Sequence, residues 1–441
     1  MTEPRTRVWI PVALLALSLL SLASESQAQG SRTVQLLGRF ENLARDGGYA
    51  GVWGYSDAEG REYALLGTRA GTSIVEVTDP SNPVEVAFIP GRNSTWREIQ
   101  TFSKYAYVTT EAGGGVQIID LSQSPPALMN TYAATVGNAH TLFVDQVEGF
   151  AYINGASGPP SSSRGGMNFL NLNGDPVFPV EEGAYTERYV HDSYVRDNIA
   201  YASELSNGFA VVDVSDKSNP RVLARKQYPA AFTHNGWLTG DGSYFLTTDE
   251  VPGGHLRVWS ILDLENIFQA GEYTAHPLAT IHNVYVRGDF AYASYYAEGL
   301  RVIDITDPTL PVEAGSYDTH PEWVDGFRGA WGCYPFLPSG TVLISDIQTG
   351  LWVFSFDGTY AGRIRGAVTD AVSQQPIEGA SVSIAGNNAP VTTNSQGEYG
   401  IGYVPDTYRI TVSKPGYDPY ETEVTLVSGQ TINLDVSLTP N

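Results

Sequence analysis

Residues 191–224 read HDSYVRDNIAYASELSNGFAVVDVSDKSNPRVLA, and residues 282–315 read HNVYVRGDFAYASYYAEGLRVIDITDPTLPVEAG. The two align without a gap. Each gives a strand, a short turn, a second strand (IAYAS, FAYAS), a third strand led by glycine (GFAVVDVSD, GLRVIDITD), a turn marked by proline, and a fourth strand. Short runs rich in β-branched and aromatic residues, bounded by Gly, Pro, Asn and Asp, are strand signals. Weaker copies begin at Trp53, Trp96, His140, His234 and Trp331, so start-to-start spacings run from 43 to 51 residues. Four short strands per unit at that period mark a β-propeller blade. Seven units predict a seven-bladed β-propeller in an all-β chain.

The ends of the array point to closure. The seventh copy stops after its third strand, GLWVFSFDG, while a spare strand, TVQLLGRFE (residues 33–41), stands before the first copy. Pairing the two would leave no open sheet edge. With its VVDVSD and VIDITD strands and its DPSNP and DPTLP turns, the chain resembles the LVIVD-repeat propellers. Residues 33–360 as a whole resemble the choice-of-anchor B family of exported bacterial proteins. The resemblance implies the fold and an exported setting, and it implies no reaction.

After Gly358 the period breaks. Clean alternation in ASVSI, YRITVSK and INLDVSL, with turns at SQGE, VPDT and KPGY, predicts a small antiparallel β-sandwich. Gly366, Val368, Asp370, Pro376, Gly379, Ala380, Gly397, Tyr399, Lys414, Gly416 and Tyr417 give this segment a resemblance to the carboxypeptidase regulatory-like domain, a transthyretin-like fold. That resemblance implies a non-catalytic accessory module. The expected organisation is a signal peptide at 1–28, the propeller at 29–360 and the sandwich at 361–441. The junction DGTYAGR is short and turn-rich, so the sandwich is expected to be separable.

At the N-terminus, Arg5 and Arg7 precede the apolar run VWIPVALLALSLLSLA and the small residues Ser26 and Ala28. This is the layout of a secretory signal cut before Gln29, too short to span a bilayer. The mature chain is expected to be secreted, periplasmic or at the cell surface, with no membrane span. Lys+Arg 25 against Asp+Glu 48 gives a net charge of −23. A chain this acidic lacks the basic surface that holds phosphates, which argues against nucleic acid as a partner. Cys333 is the only cysteine, so no intramolecular disulfide and no thiolate cluster can form.

Propeller geometry places the starts of the first strands and the ends of the second strands on one face of the disc. There the repeat-start residues run Trp53, Trp96, His140, His191, His234, His282 and Trp331. Second strands end nearby with Glu111, Glu204, Asp249 and Asp346, and the first unit carries Arg69 instead. Imidazoles and carboxylates converging from separate blades are ligand types for a divalent transition metal such as zinc or copper. The candidate metal ligands are His140, His191, His234, His282, Glu204 and Asp249. Trp53, Trp96, Trp331, Glu111, Arg69 and Asp346 are candidates for binding another ligand. The repeated His and Trp can equally be packing elements inherited by duplication. The insertion GASGPPSSSRGG (155–166) overhangs the same face as a lid or a plain loop extension, and His320 with Glu322 and Asp325 is positioned to cap the mouth. No GxSxG, HExxH or phosphate-binding loop is present, so no catalytic residue is assigned. Of three function classes, a hydrolase acting on a secreted polymer through the channel mouth has only the acidic residues in its favour, and two others stand ahead of it. One is an exported scaffold that binds a protein, glycan or other ligand at the channel mouth, with the sandwich as spacer or tether. The other is a metal-binding propeller, an oxidoreductase or lyase, centred on the histidines.

Overall fold

The structure is a computed structural model that describes residues 33–158, 163–322 and 326–441. The signal segment expected at 1–28, the tip of the 155–166 insertion and Asp325 lie outside them. The described chain is all-β apart from one four-residue helix, Leu43–Asp46. No helix among the described residues is long and apolar enough to cross a membrane.

Seven four-stranded antiparallel sheets form the larger part among the described residues, each of the kind that builds a propeller blade. The innermost strands are Tyr49–Ser56, Arg97–Phe102, Thr141–Asp145, Asp192–Arg196, Thr233–Leu238, Val284–Arg287 and Ala330–Tyr334. Each packs beside the next, and the last packs back against the first. The ring is closed by Val34–Phe40, which pairs antiparallel with Gly350–Phe356 from Val34 opposite Phe356 to Phe40 opposite Leu351. That strand completes the seventh sheet, in which Ala330–Tyr334 and Val342–Asp346 are the other members.

The third strands explain why the repeat has its sequence. Their Val, Ile and Leu side chains are buried on both faces, because each sheet is sandwiched between neighbours. Their terminal aspartates do another job. Asp120, Asp213 and Asp304 each accept hydrogen bonds from the backbone N–H and hydroxyl of the residue two places on, Ser122, Ser215 and Thr306. These short side-chain bonds fix the turn that leads to the fourth strand. Cys333 is buried inside the seventh sheet, and desolvation pushes its thiol pKa far up, so it has the character of an inert core residue.

The C-terminal part is a two-layer β-domain. Gly362–Asp370 pairs with Glu398–Tyr403, Thr431–Asn433 and Val436–Leu438, and the second layer contains Val391–Thr392, Ser381–Ile384, Thr407–Ser413 and Tyr420–Thr425. It is docked, not merely tethered. Arg363, only 3% exposed, donates to both carboxylate oxygens of fully buried Asp304 at 2.8 and 3.2 Å, and also to the Asp304 and Leu310 carbonyls. Ala361 N–H donates to the same carboxylate at 3.1 Å. The backbone comes so close here that a Cβ on Gly402 would lie 2.8 Å from Val312. The turn-rich junction therefore enters a packed interface.

Two outcomes are expected. Deleting residues 33–41 leaves Gly350–Phe356 as an open edge, and aggregation with loss of a single cooperative unfolding transition should follow in denaturation and light-scattering measurements. Arg363→Ala leaves Asp304 buried without its cation, a change worth about 3–5 kcal/mol. Limited proteolysis should then cut the 357–363 junction faster than in the parent, and the melting temperature should fall. Equal cleavage rates in parent and variant would refute the docking role.

Candidate metal centre at the mouth of the channel

The innermost strands bring His140, His191, His234 and His282 side by side at one end of the channel. Their ring centroids are 4.0, 4.3 and 4.2 Å apart in that order, and the indole of Trp331 continues the row 4.6 Å from His282. His191, His234 and His282 are 7%, 3% and 3% exposed. Each arrives from a different sheet, and two of the rings are oriented by the next sheet along. His282 Nδ1 lies 2.6 Å from the Trp331 carbonyl, and His191 Nδ1 lies 3.2 Å from the His234 carbonyl. A carbonyl only accepts, so Nδ1 carries the proton in both and Nε2 keeps its lone pair. His140 Nδ1 sits 2.6 Å from Glu111 Oε1 on the same logic. This is the arrangement by which outer partners fix a ligating imidazole.

Two donor groups result. His140, His191 and His234 have ligand atoms within 4.8 Å of one another, and so do His234, Glu250 and His282. In the second group, His234 Nε2 is 3.5 Å from Glu250 Oε2, and His282 Nε2 is 3.8 Å from Glu250 Oε1. Those gaps are long for hydrogen bonds. They approach the separation of roughly 3.3 Å between tetrahedral ligands that are each about 2.0–2.1 Å from one ion. Tyr296 Oη donates to Glu250 Oε1 at 2.6 Å and holds the carboxylate towards the imidazoles.

The other candidates are placed as follows. Glu204 is fully occupied by Arg225, Arg188 and the Tyr185 hydroxyl. Asp249 accepts from Arg257, the Tyr228 hydroxyl and Phe232 N–H. Neither belongs to a donor group with the histidines. Asp346 is buried beneath Thr319 and His320, with His320 Nε2 at 3.4 Å. Trp53 pairs with Leu65, deeper in its sheet than the histidine level, and packs edge-on against Tyr334. Trp96 precedes its strand and is 42% exposed. Arg69 lies at the same face with its guanidinium free of any partner among the described residues.

Three carboxylates escaped the sequence reading. Glu250 follows Asp249, and neighbouring residues at a strand end point to opposite sides; Asp249 turns outward to Arg257 and Glu250 turns to the channel. Glu98 and Asp192 line the cavity below the imidazoles together with Trp53, Trp331 and Tyr285. Glu98 accepts from Trp331 Nε1 at 2.8 Å, and Asp192 accepts from Asn235, Thr141 and Ser193 N–H. Aligning the second repeat on Trp96 hid Glu98, because the register places Arg97 and Glu98 at the strand start.

Comparison with known proteins separates the two parts of the chain. The LVIVD repeat model matches residues 187–225 and 281–319, and the carboxypeptidase regulatory-like domain model matches residues 363–439. Carboxypeptidase D from Homo sapiens is 41% identical over 75 residues, covering 17% of this chain and 5% of that protein. The Anas platyrhynchos carboxypeptidase D is 34% identical over 98 residues, 22% of this chain and 6% of that protein. The chain thus spans about one-twentieth of the length of these curated relatives. It carries LVIVD repeats followed by a C-terminal carboxypeptidase regulatory-like domain.

Burial sets the electrostatics of the channel. Desolvation holds His282 down to about 3 and His191 and His234 well below the ordinary imidazole range, so all three are neutral at pH 7. Below about pH 6.5 the unfolded chain takes up protons that these rings refuse, so they favour unfolding as the pH falls towards 3. The carboxylates act in the opposite sense. Desolvation pushes Glu98 up to about 7 and Asp192 up to about 6, and raises Glu250. For Glu98 the folded state binds its proton more tightly than the unfolded state. Its contribution is therefore fully favourable below about pH 4.5 and is lost as the pH rises through about 7. Glu98→Gln in EDTA-treated protein should be more stable than the parent at pH 8 by on the order of 2 kcal/mol, with the gap closed at pH 4.5. Urea denaturation at the two pH values checks this, and an equal gap at both would refute it.

Proposed function

We propose that the protein is an exported propeller that binds a divalent transition metal at the channel mouth, with His234, Glu250 and His282 as ligands and His140 and His191 completing the donor wall. The observation that carries this reading is the pair of Nε2–carboxylate gaps around Glu250, 3.5 and 3.8 Å, with the carboxylate held by Tyr296 and His282 Nδ1 engaged by the Trp331 carbonyl. Two imidazoles and one carboxylate suit zinc or iron and leave positions open for water or a ligand. An ion there would supply Lewis-acid chemistry to a bound molecule. Export is part of the same reading, on the strength of the signal-like N-terminus and of domain types common in extracellular proteins.

A scaffold that recruits a protein or glycan is the second reading. The docked sandwich favours it, since a module held by the Arg363–Asp304 pair is a rigid arm and not a loose tail.

Metal analysis of untagged protein should find a transition metal near one equivalent per chain. His234 belongs to both donor groups, so His234→Ala should remove the metal and the thermal stabilisation that zinc, copper, nickel or iron salts give the stripped parent. Glu250→Gln, which keeps the shape of the side chain, should weaken binding at least tenfold. Untagged protein without metal, and without any thermal shift on adding these salts, would leave the scaffold reading in its place.

A further inference from the structure

Beside the channel mouth lies a second cavity that the metal does not use. It opens between the first, second and seventh sheets, with a volume of about 180 Å³, room for a small ligand and not for a drug-sized one. Its lining is mainly apolar and includes two indoles, Trp96 and Trp331, and Tyr49. Gly47 and Gly48, at φ 67° and 124°, carry the chain along one wall in a conformation that favours glycine.

Its charge is the unusual feature. Arg69 is the one cationic residue in the lining, no carboxylate lines the crevice, and the guanidinium makes no hydrogen bond or ion pair among the described residues. Elsewhere on this face the strand-end charges are matched: Glu204 with Arg225, Asp249 with Arg257, Glu111 with His140 and Asp346 with His320. Arg69 occupies the equivalent place in the first sheet, just after Glu62–Thr68, and has been left unmatched. In a chain of net charge −23, an unpaired guanidinium between two indoles is a complement for a ligand.

We propose that this crevice binds a small planar monocarboxylate, with Arg69 pairing the carboxylate and Trp96 and Trp331 clasping its apolar body. The guanidinium fork matches a carboxylate through two parallel N–H···O bonds, and indole faces accept a flat apolar group. One cation balances one negative charge. A dianion such as a phosphate ester would bring a second charge with no partner into an acidic protein. Trp331 is common to the crevice and to the channel cavity, and its ring packs at a tilt against His282. The bound acid therefore rests against the indole that borders the candidate metal ligands. The site needs no metal.

The test uses EDTA-treated full-length protein, so that its outcome is independent of the metal reading. Benzoate, cinnamate and indole-3-acetate are titrated by calorimetry, with tryptophan fluorescence as a second readout for the first two, and benzyl alcohol serves as the uncharged control. At least one acid should bind saturably, and benzyl alcohol at least tenfold more weakly than benzoate. Arg69→Gln, which removes a side chain with no partner and so leaves the fold intact, should weaken acid binding at least tenfold and erase the preference over the alcohol. Trp96→Ala should weaken acid and alcohol alike. No saturable binding of any of the three acids, or binding that Arg69→Gln leaves unchanged, overturns the proposal.

Discussion

The pairing of Val34–Phe40 with Gly350–Phe356 is the constraint on which the rest of the molecule depends. Without it the sheets would form an open array with a free edge. With it, the innermost strand of the seventh sheet packs on that of the first, and all seven innermost strands are forced to face a common axis. Equivalent positions in the repeats then become neighbours in space. Four imidazoles that are 43 to 51 residues apart in the chain come to lie about one ring's thickness from each other.

Crowding the same residue type around an axis would be costly if it were charged. Burial resolves this by holding three of the imidazoles neutral, and in His191 and His282 a sheet-to-sheet bond from Nδ1 to a carbonyl leaves the lone pair on Nε2. The acidic residues divide into two groups. Those at the ends of the second strands are each partnered in place by an Arg or a His. Glu98, Asp192 and Glu250, which face the axis, have no Arg or Lys partner among the described residues, and desolvation raises their pKa values. An axis with neutral imidazoles and carboxylates short of counter-charge has the composition that the proposed metal centre requires. Arg69, at its rim, is the inverse case: a cation short of an anion.

Much of this was legible in the sequence. The gapless match of 191–224 to 282–315, the Gly-led third strands and the turn aspartates specify four-stranded units, because strand periodicity and turn chemistry are local properties. The incomplete seventh unit and the spare strand at 33–41 specify closure. The position of His140, His191, His234 and His282 at the mouth follows from equivalence between repeats. What failed was side-chain direction. Their place in the repeat points Glu204 and Asp249 towards the histidines, yet each is held by an arginine of its own sheet.

The sequence by itself determined the fold, the two-part organisation and the residue types available at the axis, because these depend on period, composition and turns within a few dozen residues. Tertiary structure alone decided which of those residues meet. Whether Asp249 or its neighbour Glu250 faces the channel depends on the register of one strand pair, with a bulge between Thr233 and Asn235. Whether Glu98 or Trp96 lines the cavity depends on a shift of two positions in another. The docking of the C-terminal part rests on Arg363 finding Asp304, which are 59 residues apart. Such pairings are settled by packing between sheets, and the sign of a one-residue offset is invisible to a pattern that repeats every second residue.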